Sequence, residues 1–286
     1  MSINKIIPMI YHSEEHIAAI LQLERECTQL DPIPYNAGIE HLAKKNGDFG
    51  ILYYHGDKLA GLLSWHSSDG IVGNVNARVH PHYRRQGVFR SMLQRAQEDM
   101  KAFGIRSHNY RIPKDSEAGI AAAKSLGAVY DHSEFQLVLN SALFQGLSNS
   151  ELSLFPERPE DLEFEVACMS QAFGDSESWV REYLAGTADP ARTTYIAWRN
   201  HERVGMIRVN VLNRQKAILH DFCILPSCQG QRLGTQALVK TVECLLHESY
   251  TYIRLSVVTD NERALNLYRK IGFEISAMNL FYMGTL

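Results

Sequence analysis

The sequence has little of what marks a membrane-spanning or secreted chain. In its 286 residues, no apolar run approaches the roughly 20 residues that are needed to cross a bilayer. The first residues, MSINKIIPMIYHSEEH, are too polar for a secretory signal peptide. We therefore expect a cytoplasmic protein with no membrane partner.

Cysteine and excess charge are also scarce. The five cysteines form no CxxC pair and no Cys/His group with zinc-ligand spacing, so we expect no metal, and we expect reduced, buried thiols at Cys27, Cys168, Cys223, Cys228 and Cys244. The net charge of −3 gives no general basic field that would attract nucleic acid. Apolar and charged contents of 45% and 21% are typical of globular proteins and supply enough apolar material for two cores.

What the sequence does contain is an internal repeat. Residues 74–93, NVNARVHPHYRRQGVFRSML, and residues 219–238, LHDFCILPSCQGQRLGTQAL, each combine an apolar run, a proline, a Gly/Arg/Gln-rich turn and an amphipathic stretch. The two prolines lie 145 positions apart, and the same offset relates Asp115 to Asp260 and Gly127 to Gly272. We interpret this as a duplication, with domains at 1–141 and 151–286 and a Ser/Asn/Gly-rich linker at 142–150.

Hydrophobic periodicity predicts the same order of elements in each half, β-α-α-β-β-β-α-β-α-β-β, which is a mixed α/β fold with two tandem mixed-sheet domains. In the second half, the helix after the turn is predicted from about Gly230 to His247, with Cys244 on its buried face. The next helix is predicted over 260–270, where Thr259 and Glu262 fit a capping box. Two short strands are expected to end the chain, near 273–275 and 279–283.

The turn in each half resembles the acetyl-CoA signature of the GNAT superfamily of N-acetyltransferases, (Gln/Arg)-x-x-Gly-x-(Gly/Ala). The matching hexapeptides are RRQGVF at 84–89 and QGQRLG at 229–234. Phe89 replaces the last small residue in the first copy, and Arg232 replaces the central glycine in the second. A helix start of this kind offers unpaired amides and a positive dipole end to a diphosphate. The alternative is an ordinary glycine-containing helix start.

The resemblance implies that acetyl-CoA is the cosubstrate and that the turns and the strand ends before them bind it. In the first half these residues are Val79, Arg84, Arg85, Gln86, Gly87, Val88 and Phe89. In the second half they are Cys223, Ile224, Leu225, Gln229, Gly230, Gln231, Arg232, Leu233, Gly234 and Asn261. Direct phosphate pairing is expected from Arg84, Arg85 or Arg232.

A second signature of the family lies in the last helix of the second half, TDNERALNLYRKIGFE. The resemblance implies that Tyr268 is the general acid that protonates the departing CoA thiolate. A thiol near pKa ~8.5 and a phenol near ~10 differ by about 2 kcal/mol, a gap that a modest environmental shift would close. Tyr268 also belongs to an apolar i, i+3, i+4, i+7 stripe, so an ordinary core role is the alternative. The first half has Ala123 at this position.

Two ionisable residues, His220 and Asp221, precede the second turn, where the family often places an acid. Their counterparts in the first half are Val75 and Asn76. Asp221 is a candidate base, a ligand of the substrate amine or a structural group; an ordinary Asp near pKa ~3.9 is a poor base for an ammonium near ~10.4. His220 is expected on the opposite sheet face in a structural role. We read the first-half histidines, His66, His80, His82 and His108, as surface or cleft residues.

Together these features predict an N-acetyltransferase that acts as a monomer or homodimer. An amine of an unidentified acceptor would attack acetyl-CoA directly, through a tetrahedral intermediate and without an acetyl-enzyme. Two other interpretations remain: a catalytically silent acetyl-CoA-binding regulatory module, and catalysis by the first half with a water in place of the tyrosine.

Overall fold

The computed structural model describes residues 3–11, 13–33, 49–67, 70–147 and 149–286. They form two compact units, one of Met1–Ser133 with Ala277–Leu286 and the other of Glu134–Ser276. Each unit is a mixed sheet packed with helices, so the predicted α/β fold class is confirmed. No helix in these described ranges is long and apolar enough to cross a membrane.

The first half of the chain supplies six strands and three described helices. They are β1 (Asn4–Pro8), α1 (Glu14–Leu30), β2 (Phe49–His55), β3 (Lys58–His66), β4 (Val72–Val79), α2 (Val88–Ala102), β5 (Ser107–Pro113), α3 (Glu117–Ser125) and β6 (Val129–Leu139). The second helix expected in this half would fall within 34–48, outside the described residues. A 3-10 turn at Pro81–Tyr83 leads into α2.

The second half supplies the corresponding elements. They are β7 (Leu152–Pro156), α4 (Leu162–Phe173), α5 (Glu177–Gly186), β8 (Arg192–Arg199), β9 (Glu202–Asn213), β10 (Lys216–Ile224), α6 (Leu233–His247), β11 (Tyr252–Val258), α7 (Glu262–Ile271) and β12 (Phe273–Thr285). A 3-10 turn at Pro226–Cys228 leads into α6.

The two sheets have matching topologies. The first unit has the order β1-β2-β3-β4-β5-β12, and the second has β6-β11-β10-β9-β8-β7. The pairs β4–β5 and β10–β11 are parallel. Parallel neighbours need a crossover connection, which α2 and α6 provide.

The end of each half differs from the expected order. A single strand, β12, stands where two short ones were expected, and its residues 279–285 pair with β5 of the first unit. Residues 134–138 of β6 pair in turn with β11 of the second unit. The β6 segment VYDHSEFQLVL has no glycine or proline to end the strand. The units therefore divide after Ser133 and Ser276, whereas the linker was expected at 142–150, a segment in which residue 148 is not described.

Both faces of each sheet are buried. On β2, Ile51 packs into the cluster that contains α2 residue Met92, and its neighbour Leu52 packs into the cluster that contains α1 residue Ile20. In the second unit, β9 alternates in the same way between the α6 and α4 sides. The period-two alternation of a strand accounts for this division.

Two local predictions are wrong. Cys27, Cys168 and Cys223 are buried, but Cys228 is partly exposed and Cys244 is exposed, because Cys244 lies beside the buried stripe of α6 and not within it. Helix α7 is capped by Asn261, whose Oδ1 accepts a hydrogen bond from the Ala264 N–H at 3.1 Å. A Thr259–Glu262 capping box is therefore not the start of this helix.

Candidate active site

The parallel strands of each unit diverge toward their carboxyl ends. Pairing of β10 with β11 ends at Ile218, although β10 continues to Ile224. Pairing of β4 with β5 ends at Val75, although β4 continues to Val79. The gaps open into cavities of about 580 Å³ in the first unit and about 680 Å³ in the second. We call them the first and the second cavity.

The first residue of each turn braces the turn against the preceding strand. The Gln229 Nε2 donates a hydrogen bond to the Ile224 carbonyl at 3.0 Å, and the Arg84 Nε donates to the Val79 carbonyl at 3.2 Å. Each side chain has a second partner, with Arg263 Nη1 at 2.9 Å from Gln229 Oε1 and Asp31 Oδ2 at 2.7 Å from Arg84 Nη2. Arg84, which we had expected at the phosphates, is thus already held by an acid.

Each turn contains two residues with left-handed backbone. In the first copy they are Arg85, with φ of 62°, and Gly87, with φ of 83°; in the second they are Gly230, with φ of 79°, and Arg232, with φ of 60°. The two copies have the same backbone shape but exchange glycine and arginine between its two positions. A left-handed arginine costs roughly 1–2 kcal/mol, so each copy holds one strained residue.

The helices that follow these turns begin without a side-chain cap. Neither Gly87 nor Arg232 makes a side-chain cap hydrogen bond. The helices α1, α3, α5 and α7 each begin on a serine or asparagine that accepts such a bond. The first amides of α2 and α6 are therefore left for an external acceptor, as an anion site requires.

Most of the predicted cofactor residues line the cavities. In the first cavity these are Val79, Arg84, Arg85, Gly87, Val88 and Phe89. In the second they are Cys223, Ile224, Gln229, Gly230, Arg232, Leu233, Gly234 and Asn261. Three predicted residues point elsewhere: Leu225 packs beside α4 and α5, Gln231 accepts a hydrogen bond from Arg199 at 2.6 Å, and Gln86 donates one to the His82 carbonyl at 2.8 Å.

Tyr268 lies in the core and also lines the second cavity. It is 8% exposed and packs edge-on against Phe273, with ring centroids 6.1 Å apart. Within the described part of the chain, no hydrogen-bond partner contacts its hydroxyl. Burial raises the pKa of Tyr268 to about 12, which widens the expected gap from a thiol to about 5 kcal/mol. The apolar lining that keeps the phenol protonated would also destabilise a thiolate in the same cavity.

Asp221 stands at a β-bulge. The register of β10 against β9 shifts by one residue between His220 and Cys223, and Asp221 has a left-handed φ of 46°. Because the bulge breaks the alternation of the strand, His220 and Asp221 both line the second cavity. The expectation that His220 faces away from the site is therefore wrong. Burial lowers the pKa of His220 to about 4, so this imidazole is neutral.

The Asp221 carboxylate is held by two side chains that the sequence pattern did not single out. The Tyr183 hydroxyl lies 3.2 and 3.1 Å from its two oxygens, and Arg208 Nη1 lies 3.1 Å from Oδ2. Arg208 is 4% exposed and also donates to Thr187 Oγ1 at 3.0 Å. The one available signal was a charged residue inside the apolar run VGMIRVNVL of β9.

Two histidines of the first half are buried, contrary to their interpretation as surface or cleft residues. His80 is 2% exposed, and its Nε2 lies 3.2 Å from Glu26 Oε2. His108 is 1% exposed, and burial lowers its pKa to about 4. Across the part of the chain that the structure describes, no group of three or more His, Cys, Asp or Glu residues is placed to hold a metal ion.

Comparison with known proteins now identifies the family. The model of the acetyltransferase (GNAT) family matches this chain twice, at residues 17–127 and 159–273. The chain belongs to the GNAT acetyltransferases. Both matches span a turn and the divergent strands described above, so the duplication holds two GNAT domains and the chain is an acyltransferase.

Curated relatives of this GNAT chain are acetyltransferases. The mycothiol acetyltransferase of Thermobifida fusca is 22% identical over 94% of this chain and 95% of its own length. That of Brachybacterium faecium is 25% identical over 73% of this chain and 67% of its own. A thialysine N-epsilon-acetyltransferase of Mus musculus is 35% identical over 19% of this chain and 32% of its own.

Solved structures share the tandem GNAT fold. A tandem GNAT protein from the clavulanic acid biosynthesis pathway aligns with a TM-score of 0.72 at 18% identity, over 99% of this chain and 98% of its own. A GCN5-related N-acetyltransferase from Sphaerobacter thermophilus aligns with a TM-score of 0.76 at 15% identity, over 98% and 95%. At these identities the likeness establishes the fold.

Proposed function

We propose that the second unit transfers the acetyl group of acetyl-CoA to an amine by direct attack. One observation carries this proposal: a single cavity contains both the uncapped start of α6 and the hydroxyl of Tyr268, which has no partner among the described residues. An anion site and a proton donor on one cavity wall are the two groups that release of a CoA thiolate requires.

The diphosphate of acetyl-CoA would lie at the start of α6. The amides of the first helical turn face this end of the cavity, and the side chains of Arg232 and Arg263 add positive charge there. Beyond Ile218, the side of β10 that faces the gap has no pairing with β11. Its backbone groups are therefore available to the amide groups of the CoA arm.

The reaction balances with groups of this chain. The neutral amine attacks the thioester carbonyl, the tetrahedral intermediate collapses, and the C–S bond breaks. Tyr268 gives its phenolic proton to the thiolate and regains one from the amine through water. Since Arg208 already balances the charge of Asp221 at 3.1 Å, we assign Asp221 to positioning the amine rather than to taking its proton.

The acceptor is proposed at the level of its chemical class. The relatives named as mycothiol and thialysine acetyltransferases support a small molecule, and the thialysine enzyme is named for acetylation of an amine nitrogen. Asp221, which lines the cavity and accepts a hydrogen bond from Tyr183, fits an ammonium-bearing acceptor.

We also propose that the first cavity binds acetyl-CoA. Its described lining contains five arginines, Arg78, Arg84, Arg85, Arg90 and Arg111, against one carboxylate, Asp31. This concentration of positive charge suits the several phosphate charges of CoA. Ala123 takes the position of Tyr268 here, so α3 offers no phenolic hydroxyl to a ligand in this cavity.

An acidic side chain in the first turn of α6 or of α2 tests the corresponding binding site. Thr235 lies in the first turn of α6 and lines the second cavity; Arg90, 145 positions earlier, is its counterpart. A Thr235→Glu change suits the helix dipole but repels a diphosphate. Calorimetry should show at least tenfold weaker acetyl-CoA binding at that site, roughly 1.4 kcal/mol, and little change for Thr235→Gln. Arg90→Glu and Arg90→Gln are the matching variants for the first cavity. Unchanged acetyl-CoA binding in both Glu variants would refute binding at the starts of α2 and α6.

A further inference from the structure

The two cavities each contain a buried phenol, placed on different elements. In the second cavity, Tyr268 on α7 and Leu255 on β11 both line the wall and belong to one hydrophobic cluster. At the equivalent positions of the first cavity, 145 residues earlier, stand Ala123 on α3 and Tyr110 on β5. The phenolic side chain therefore lies on the helix in the second cavity and on the facing strand in the first, where the helix residue is small.

The two phenols are similarly buried. Tyr110 is 5% exposed and Tyr268 is 8% exposed. Burial is the cause that raises the pKa of each to about 12. Within the described residues, neither hydroxyl has a hydrogen-bond partner in the protein. Neither phenolic oxygen is among the fully buried, unpaired polar atoms of the described residues, so each hydroxyl is accessible from the cavity that its residue lines.

Tyr110 also stands at the closed end of the gap between β4 and β5. It pairs with Val75, the last paired residue of β4. Beyond this point the strands separate toward the turn at 84–87, whose residues line the same cavity. A ligand whose diphosphate lies at that turn would extend along the gap toward Tyr110.

We infer that Tyr110 is the general acid of a second acyl-transfer site in the first cavity. An amine attacks the thioester carbonyl, the C–S bond breaks, and the CoA thiolate takes the proton of the Tyr110 Oη. The phenolate regains a proton from the attacking amine through water. The inference rests on the proposed binding of acetyl-CoA in this cavity.

The test uses the full chain with the second cavity closed and its own acid removed, as the double variant Thr235→Glu/Tyr268→Phe. Acetyl-CoA is the acyl donor and hydroxylamine the nucleophile, since it is small enough to need no acceptor pocket. Released thiol is measured against a protein-free blank. Adding Tyr110→Phe should lower the release at least about tenfold. Adding Tyr130→Phe should leave it unchanged, since Tyr130 is 52% exposed, bonds to Ser133 and is not part of the cavity lining.

Binding separates the two claims. Tyr110→Phe should bind acetyl-CoA within about twofold of its parent by calorimetry, so that a lower rate reports the chemistry. Binding that persists while Tyr110→Phe leaves release unchanged overturns the inference alone, as does a parent with no release above the blank. If the parent variant binds no acetyl-CoA in the first cavity, the proposal that the first copy binds acetyl-CoA is wrong as well.

Discussion

Gly87 in the first turn and Arg232 in the second occupy equivalent positions in the same left-handed conformation, with φ of 83° and 60°. Two positions earlier the identities are reversed, with Arg85 at φ of 62° and Gly230 at φ of 79°. The shape of the turn, and not the location of its glycine, is therefore the common feature of the two copies. Each copy tolerates one arginine in a conformation that glycine adopts freely.

Changing these residues separates backbone strain from ligand contact. No atom lies within 4 Å of a β-carbon built on Gly230 or Gly87. Gly230→Ala should therefore lower the free energy of unfolding by about 1 kcal/mol through backbone conformation alone. Arg232→Gly should raise it by about 0.5 kcal/mol, since relief of strain exceeds the added entropy of the unfolded chain. Urea denaturation measures both, and a destabilising Arg232→Gly would show that the arginine side chain stabilises the turn.

The ion pair of Asp221 with Arg208 should be important for stability. In Asp221→Asn the Arg208 guanidinium, which is 4% exposed, loses its charged partner, and we expect a loss of about 3 kcal/mol. Tyr183→Phe removes a hydrogen bond and should cost about 1 kcal/mol. In an Asp221→Asn/Arg208→Met double variant, much of the stability should return. A loss in the double variant equal to the sum of the losses in Asp221→Asn and Arg208→Met, measured in urea, would mean that the pair is not coupled.

Residues 277–286 end the second half of the sequence but belong to the first unit, which predicts an unusual effect of truncation. Removing residues 277–286 takes away the partner of β5 in the first unit. Hydrogen exchange should then show lost protection at Arg111 and Ile112, which β4 does not pair, while the amides of β9 and β10 in the second unit stay protected. Unchanged protection of β5 would contradict the pairing of residues 279–285 with that strand.

His108 should make the free energy of unfolding depend on pH. Its folded pKa is about 4, below the ordinary 6.5, so the unfolded chain binds a proton that the folded chain does not. Stability is then full above pH 6.5 and falls as the pH decreases toward 4, by roughly 3 kcal/mol in the limit. His108→Phe should flatten this part of the pH profile, and His220 accounts for a similar share. A variant with the same slope as the natural chain would exclude His108 as its source.

The sequence predicted the duplication, the turns and the mixed α/β fold, because each depends on local pattern repeated at a fixed offset. The pairing of β6 with β11 of the second unit, and of β12 with β5 of the first, was not predictable in this way, since a strand does not encode its partner. A chain cut at 142–150 would leave β5 without residues 279–285 and β11 without residues 134–138. Experiments on either site therefore need the full chain.

The network around Asp221 was missed for a related reason. Tyr183 and Arg208 lie on α5 and β9, 38 and 13 residues from Asp221 along the chain, and no spacing rule joins these elements. The bulge that turns His220 into the cavity is equally invisible to an alternation argument.

The proposed role of Tyr268 as general acid is tested by thiol release from acetyl-CoA in the Tyr268→Phe variant. The measurement uses the full chain with Arg90→Glu to close the first cavity, across a panel of small amines. Because the Tyr268 hydroxyl has no partner among the described residues, the melting temperature and acetyl-CoA binding should stay unchanged. We expect a rate at least about a hundredfold lower. Release at the full rate would contradict that role.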